Sequence, residues 1–113
     1  MNMQRRDMGD VTVLALDGIV DGGAESRALV ATVTEILGEG RRKLILDLGE
    51  VSWVNSSGLG ALHRCWSLAR ELQGSFKLTN VNSRVRQVLA VSHFDALFES
   101  YPDVRGAVAS FYR

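Results

Sequence analysis

The length and charge of the chain exclude several classes of function. Its 113 residues correspond to one domain, and an apolar content of 46% is ordinary for a globular protein. The 13 basic side chains balance 13 acidic ones, so the formal charge is zero. This balance argues against a nucleic-acid partner or an anionic membrane surface held by bulk electrostatics.

Cysteine content and apolar runs indicate the compartment. Cys65 is the single cysteine, so no internal disulfide is expected, which fits a reducing environment. The N-terminal residues Arg5 and Arg6 are not followed by the apolar core of a signal peptide. No run approaches the roughly 18 apolar residues of a membrane span. We therefore expect a cytoplasmic protein without membrane insertion.

The first two elements are predicted to form a β-hairpin. Residues 2–6 are a weak, polar strand candidate, and the turn Met8-Gly9-Asp10 separates them from the strongly apolar residues 11–16. Apolar side chains on both faces of the second segment are typical of an interior strand. Asp17-Gly18 is predicted to end that strand, and Asp21-Gly22-Gly23 is predicted to form the loop before a helix.

A helix and the central strand follow. Over residues 24–37 the apolar side chains recur at helical spacing, which predicts one buried face made of Leu29, Val33, Ile36 and Leu37. Gly38 and Gly40 are expected to end this helix. The basic residues 41–43 are predicted to be a solvated connector. They lead into an apolar strand over residues 44–54.

The C-terminal half alternates helices with short strands. A second helix is predicted after the turn at Asn55 and ends before Gly74. Residues Ser75–Thr79 alternate between apolar and polar side chains, as in a strand. Asn82 is predicted to cap a third helix. Leu97-Phe98 is a candidate edge strand, and Pro102 is predicted to begin a last helix. The predicted apolar faces of these three helices are Gly58, Leu62, Cys65, Trp66, Ala69 and Leu72; Val85, Val88 and Leu89; and Val104, Ala107, Val108 and Phe111.

This order of elements predicts an α/β fold. We expect residues 1–113 to form a single domain with a mixed β-sheet, in which an N-terminal antiparallel hairpin is followed by parallel strands. Right-handed helical crossovers would join those strands, and the fold would contain about four helices. The sequence leaves open whether the helices cover one face of the sheet or both.

No catalytic or cofactor motif is complete. The Gly-x-Ser-x-Gly pattern of a nucleophile elbow fails around Ser56 and Ser57, and His63 occupies the third glycine position of a dinucleotide fingerprint. The sequence contains no phosphate loop, and Cys65, His63 and His93 do not have the spacing of metal ligands. We therefore expect no enzymatic activity, no cofactor and no metal. A Ser-His-Asp arrangement would require tertiary contacts that the sequence does not reveal.

The turn Asn55-Ser56-Ser57-Gly58 is the strongest candidate site. Asparagine and serine are favoured helix caps, worth about 1 kcal/mol each, and that role alone explains any one of them. Two serines and a glycine directly after a buried strand also place hydroxyls at the carboxyl edge of a sheet, where α/β proteins commonly bind ligands. The free N–H groups and the dipole of the following helix would attract an anion there.

These residues resemble the signature of the STAS domain found in bacterial anti-sigma factor antagonists. The similarity covers nearly the whole chain in order and spacing. The matching segments are Leu16-Asp17-Gly18, Leu46-Asp47-Leu48, Val51, Val54-Asn55-Ser56-Ser57-Gly58-Leu59-Gly60-Ala61-Leu62, Leu78-Thr79-Asn80-Val81, Val85, Val88-Leu89 and Phe94-Asp95-Ala96-Leu97-Phe98. The resemblance implies the STAS fold and a small module that binds an anti-sigma factor with serine-kinase activity, which frees a sigma factor.

The resemblance also implies roles for residues of the turn. In the family the kinase phosphorylates the serine that follows an acidic residue in Asp-Ser-Ser-Gly, which matches Ser56, and a phosphatase restores the hydroxyl. This chain departs from the pattern with Asn55 in the acidic position. Leu59 fits a core position as well as a contact position. The residues expected to contact the partner are Asn55, Ser56, Ser57, Gly58, Leu59 and His63.

A phosphate on Ser56 is expected to release the partner without unfolding the domain. It would add a charge of about −1.5 to −2. The helix N-terminus tolerates that charge, whereas a partner packed over the turn would have to desolvate it. The alternative is a non-phosphorylated accessory or scaffold STAS subunit of a signalling complex or a lipid-transport ATPase. A nucleotide or small-ligand domain is a third alternative, based only on the incomplete glycine pattern.

Overall fold

Strands and helices alternate along most of the chain, as in an α/β protein. The computed structural model describes residues 1–112, and this part of the chain contains five strands and four helices. The strands are Asn2–Met8 (β1), Val11–Val20 (β2), Lys43–Val54 (β3), Ser75–Thr79 (β4) and Glu99–Tyr101 (β5). The helices are Ala24–Gly38 (α1), Ser56–Glu71 (α2), Ser83–Val91 (α3) and Val104–Ser110 (α4).

The strands form the predicted mixed sheet. They lie side by side in the order of the sequence, from β1 to β5. β1 and β2 pair antiparallel, with Asn2 opposite Asp17 and Met8 opposite Val11. The other three pairs are parallel, because a helix or a longer crossover returns the chain to the same edge before each new strand. The predicted hairpin and parallel strands are therefore confirmed.

The helices cover both faces of the sheet, with three on one side and one on the other. Leu14, Leu46 and Leu78 point from the central strands into a large core with Leu29 of α1 and Leu62 of α2, and α3 joins the same core. On the opposite face Val11, Val13 and Ile45 pack against Ala107 of α4. Coverage on both sides explains why β2 and β3 are apolar at consecutive positions.

Lys77 attaches α4 to the sheet. Its side chain is buried, its Nζ donates to the Ser110 hydroxyl at 2.6 Å, and it forms an ion pair with Glu99 at 2.8 Å. The ammonium also lies 3.9 Å from the centroid of the Phe111 ring. A buried ammonium requires partners of this kind. These contacts fix α4 over one end of the second face.

Most predicted elements are confirmed, and their caps follow from the sequence. The helical pattern over residues 24–37 corresponds to α1, and β4 has the predicted bounds. The Asn82 side chain accepts the Val85 N–H at 2.9 Å and so caps α3. Leu72 does not lie on the buried face of α2, because that helix ends at Glu71 and leaves the Leu72 side chain 47% exposed.

Three predicted boundaries are wrong. β2 continues past Asp17-Gly18 to Val20, because the positive φ of Gly18 (113°) and two register shifts let the strand bend and keep its pairing with β3. β5 follows Leu97-Phe98 instead of including it, since Phe98 is buried in the larger core. Pro102 precedes α4, whose cap is Asp103: the Asp103 carboxylate accepts the Gly106 N–H at 2.7 Å.

Ion pairs join the hairpin to the connector before β3. The Lys43 ammonium lies 2.5 Å from the Asp10 carboxylate, which also accepts the Tyr112 hydroxyl. These two hydrogen bonds, that of Lys43 first, lower the pKa of Asp10 to about 2. The guanidinium of Arg41 donates to the Gly9 carbonyl at 2.7 Å. The basic connector is therefore bound to the hairpin turn rather than simply solvated.

The Asp10 ion pair predicts a specific pH dependence of stability. The pKa of Asp10 lies below its ordinary value of 3.8 in the folded chain, so its contribution is present above that value and disappears as the pH falls from about 4 to about 2. Acid should therefore lower the thermal midpoint less steeply in Asp10→Asn than in the wild type. Circular dichroism melts across this window measure the slope. Lys43→Gln, which removes the main partner, should flatten the curve as well, and parallel curves would contradict this account.

Candidate functional site

Asn55 closes the turn between β3 and α2. Its backbone is extended (φ −92°, ψ −179°), and it is the N-cap of α2. Its Oδ1 accepts the Gly58 N–H at 2.8 Å, and its carbonyl accepts the Leu59 N–H at 2.8 Å. The N–H groups of Ser56 and Ser57 have no partner inside the helix, because they belong to its first turn. The turn therefore combines two hydroxyls with two free N–H groups.

Close backbone contacts fix this turn to the end of β2. The Asn55 N–H donates to the Val20 carbonyl at 3.2 Å. A Cβ on Gly58 would lie 2.0 Å from that carbonyl oxygen, and a Cβ on Gly22 would lie 2.3 Å from the Cβ of Ser57. Gly22 also has a φ of 83°, which favours glycine. The loop between β2 and α1 therefore lies directly against the first turn of α2.

Exposure separates the residues of the turn into two groups. Ser56 and Ser57 are exposed, and Asn55 is half-buried. Gly58 and Leu59 are buried, and the Leu59 side chain belongs to the larger core. The helical turn that directs residues 56 and 57 outward directs the next two residues toward the sheet. Leu59 therefore takes the core position, and its side chain is not available to a partner.

His63 lies about two helical turns beyond Ser56 on α2. Its half-buried ring stacks with Trp66 at a centroid distance of 5.8 Å and with Phe94 at 5.3 Å. Across residues 1–112, no hydrogen bond joins Ser56 or Ser57 to a histidine. The structure brings His63 beside an aromatic cluster and does not assemble a Ser-His-Asp arrangement.

A groove between α1 and α2 begins at Ser57 and was not predicted from the sequence. It has a volume of about 320 Å³. Ser26, which is buried, accepts the Gly22 N–H at 2.9 Å and so fixes the loop that forms one end of the groove. No local pattern could have indicated it, because its walls come from separate helices. The lining residues are Gly22, Ser26, Arg27, Val30, Ser57, Ala61 and Arg64.

Trp53 lies at the surface close to the same turn. Its side chain is 36% exposed, and the Arg84 guanidinium lies 4.9 Å from its ring centroid. Ile19, its register partner on β2, is also exposed. Apolar surface therefore continues from the candidate site along the ends of β2 and β3.

The chemistry available in this region is hydrogen bonding and charge. Burial raises the pKa of the Cys65 thiol to about 12, so the thiol is protonated at neutral pH. Among the described residues, no three His, Cys, Asp or Glu side chains come together as they would around a metal ion. Within the same residues, no helix has both the length and the apolar content needed to cross a bilayer.

The chain belongs to the STAS domain family. The family model matches residues 2–107, which include the whole candidate site. This match confirms the resemblance noted in the sequence.

Individual relatives agree with that assignment. The chain is 26% identical over 111 residues to BtrV of Bordetella bronchiseptica, named as a candidate anti-sigma factor antagonist, and the match covers 98% of this chain and 95% of that protein. A crystal structure of a candidate anti-sigma factor antagonist from Thermotoga maritima matches with a TM-score of 0.90 at 21% identity, covering 98% and 95% of the two chains. The phosphorylated form of the Bacillus cell fate determinant SpoIIAA matches with a TM-score of 0.75 at 19% identity, covering 97% and 99%. The two structures share the fold of this chain.

The contact between Gly58 and Val20 predicts opposite effects for two glycines of one helix. Alanine at position 58 would clash with the Val20 carbonyl, so Gly58→Ala should destabilise the domain by about 2–3 kcal/mol. A Cβ on Gly60 has no atom within 4 Å, so Gly60→Ala should stabilise it by about 0.5–1 kcal/mol through helix propensity. Urea denaturation measures both, and a loss of stability in the two variants alike would contradict the steric explanation.

The capping role of Asn55 predicts a difference between two substitutions. Asn55→Ala removes the acceptor for the Gly58 N–H and should cost about 1 kcal/mol. Asn55→Asp keeps an acceptor at this position and adds a negative charge at a helix N-terminus, so stability should be retained or slightly increased. Thermal or urea denaturation compares the three proteins. Equal stability of the alanine and aspartate variants would show that the cap contributes nothing.

Proposed function

We propose that this chain is an anti-sigma factor antagonist controlled by phosphorylation. It binds an anti-sigma factor with serine-kinase activity and so frees a sigma factor. Transfer of a phosphoryl group to Ser56 ends the binding, and a phosphatase restores it. The chain itself catalyses no reaction, and its unpaired Cys65 fits action in the reducing cytoplasm.

The observation that carries this proposal is the exposure of Ser56 at the first position of α2. An incoming kinase can reach this hydroxyl without unfolding the domain. Its neighbours Gly58 and Leu59 are buried and hold the turn in place. A partner that covers Ser56 would therefore meet a rigid surface, which limits the entropy lost on binding.

Electrostatics at the turn favours release without unfolding. A phosphate carries a charge of about −1.5 to −2 at neutral pH, and a helix N-terminus carries about +0.5. The free N–H groups of Ser56 and Ser57 can donate to the phosphate oxygens. The folded domain therefore accepts the phosphate, whereas a partner would have to desolvate it.

Asn55 is compatible with such a site. The amide oxygen of Asn55 accepts the same hydrogen bond from Gly58 that an aspartate would accept, so the shape of the turn does not require an acid. A neutral side chain next to Ser56 also repels a phosphate less than a carboxylate does. The existence of a phosphorylated form of SpoIIAA, which shares the fold, supports modification of a STAS domain in general.

The second candidate function is that of a non-phosphorylated accessory or scaffold subunit of a signalling complex or a lipid-transport ATPase. The absence of an acidic residue before Ser56 favours this alternative, because the family pattern places one there. In that case the exposed turn would be a permanent contact surface rather than a switch.

Substitution of Ser56 tests the switch. Ser56→Asp places a charge where the phosphate would be and should weaken binding of the anti-sigma factor by about a hundredfold, while Ser56→Ala should bind like the wild type. Both variants should keep nearly the wild-type thermal midpoint, since the side chain is exposed. Titration calorimetry with the purified anti-sigma factor kinases of the source organism measures the affinities. Equal affinity of the two variants would reject the switch.

Intact mass measurement separates the two candidate functions. After incubation with ATP and the kinase that binds it, the wild type should gain one phosphoryl group, and Ser57→Ala should gain the same mass. Ser56→Ala should gain none. An accessory subunit would gain no mass in any of the three proteins.

A further inference from the structure

The groove between α1 and α2 carries two arginines beside the candidate site. Arg27 lies in the first turns of α1 and Arg64 lies on α2, and both line the groove together with Ser57. Ser57, Ala61 and Arg64 follow one another at helical spacing on the same face of α2. Helical side chains lean toward the N-terminus of their helix, which directs Arg64 back toward Ser57.

Neither arginine is neutralised by the rest of the chain. Within residues 1–112, the guanidinium groups of Arg27 and Arg64 have no ion pair and no hydrogen bond. In contrast, Arg5 pairs with Glu39 at 2.7 Å, and the Arg42 guanidinium donates to the Leu37 carbonyl at 2.7 Å. The groove is therefore a positive region on a chain whose formal charge is zero.

The acidic side chains at the start of α1 are already engaged. The Glu25 carboxylate pairs with the N-terminal ammonium, and the Asp21 Oδ1 accepts the Gly23 N–H at 3.1 Å. The groove between the two guanidinium groups is lined by the small residues Gly22 and Ala61 and by the half-buried Val30. An acidic side chain has room to enter this groove and meets two donors there.

We propose that Arg27 and Arg64 bind a carboxylate side chain of the protein partner, as part of the surface that also covers Ser56. The inference rests on the proposed function and specifies the partner: it carries an aspartate or glutamate that enters the α1–α2 groove. Arginine is suited to this role because its guanidinium can bind both oxygens of a carboxylate.

This arrangement gives the phosphate a second way to release the partner. A phosphate on Ser56 would stand beside the partner's carboxylate and repel it, and it would also compete for the two guanidinium groups. Positive charge in the groove and negative charge on Ser56 would therefore have coupled effects on binding. Reversal of charge in the groove should therefore weaken partner binding, as phosphorylation of Ser56 does.

Charge reversal tests the groove directly. Arg27→Glu and Arg64→Glu should each weaken binding of the anti-sigma factor kinase used in the Ser56 titrations by about tenfold, and the double variant by more. Added salt should weaken wild-type binding more than binding of the double variant. The matched control is Arg105→Glu on α4, because Arg105 is exposed and also has no partner within residues 1–112. All variants should keep the wild-type thermal midpoint.

The outcomes distinguish this inference from the proposed function. If Ser56→Asp releases the kinase but the double variant binds like the wild type, the groove has no role and the switch stands. A loss in Arg105→Glu equal to that in the groove variants would show that only net charge matters, which also overturns the inference. A wild-type chain that none of the anti-sigma factor kinases binds overturns the proposed function and the inference together. The inference is supported if Ser56→Asp reduces the affinity for the kinase by a smaller factor in the double variant Arg27→Gln/Arg64→Gln than in the wild type.

Discussion

The contact between Gly58 and the carbonyl of Val20 is the constraint on which the site depends. Because glycine has no Cβ, the first turn of α2 can approach the end of β2 until the Asn55 N–H reaches the same carbonyl. Gly22 allows the reciprocal approach of the loop to Ser57. The turn is thereby fixed by contacts at Gly58 and Gly22, and these contacts restrict the movement of Ser56 and Ser57. A larger side chain at either glycine would move the hydroxyls of the candidate site.

The sheet supplies the support behind this turn. Helices cover both faces of the sheet where β3 begins, and Leu44, Ile45 and Leu46 of that strand are buried. On the second face, Lys77 and the apolar residues of α4 fix the short last helix. Stability is therefore concentrated in the central strands, while the groups of the candidate site lie at their carboxyl ends. The proposed phosphorylation of Ser56 would therefore add its charge at the surface, away from the core.

Local charge, rather than net charge, determines what the surface can bind. The chain has a formal charge of zero, yet many of its ionic groups are neutralised in pairs at the opposite end of the sheet, such as Asp10 with Lys43. The carboxyl end instead has free N–H groups at Ser56 and Ser57 and the two unpaired guanidinium groups of the groove. In the function we propose, a partner that carries acidic side chains recognises this one end of a neutral molecule, and a phosphate placed there competes with it.

The sequence by itself determined the type and order of the elements, the cap at Asn82 and the position of the candidate turn, because periodicity and capping depend on residues a few positions apart. The family resemblance indicated Ser56 as a candidate phosphorylation site in the same way, through a contiguous motif. Only the tertiary structure decided that α4 lies alone on the second face, that Leu59 is core and that Arg27 shares a groove with Ser57. These outcomes depend on contacts between segments that are distant in the chain, and their geometry follows from packing rather than from any local pattern.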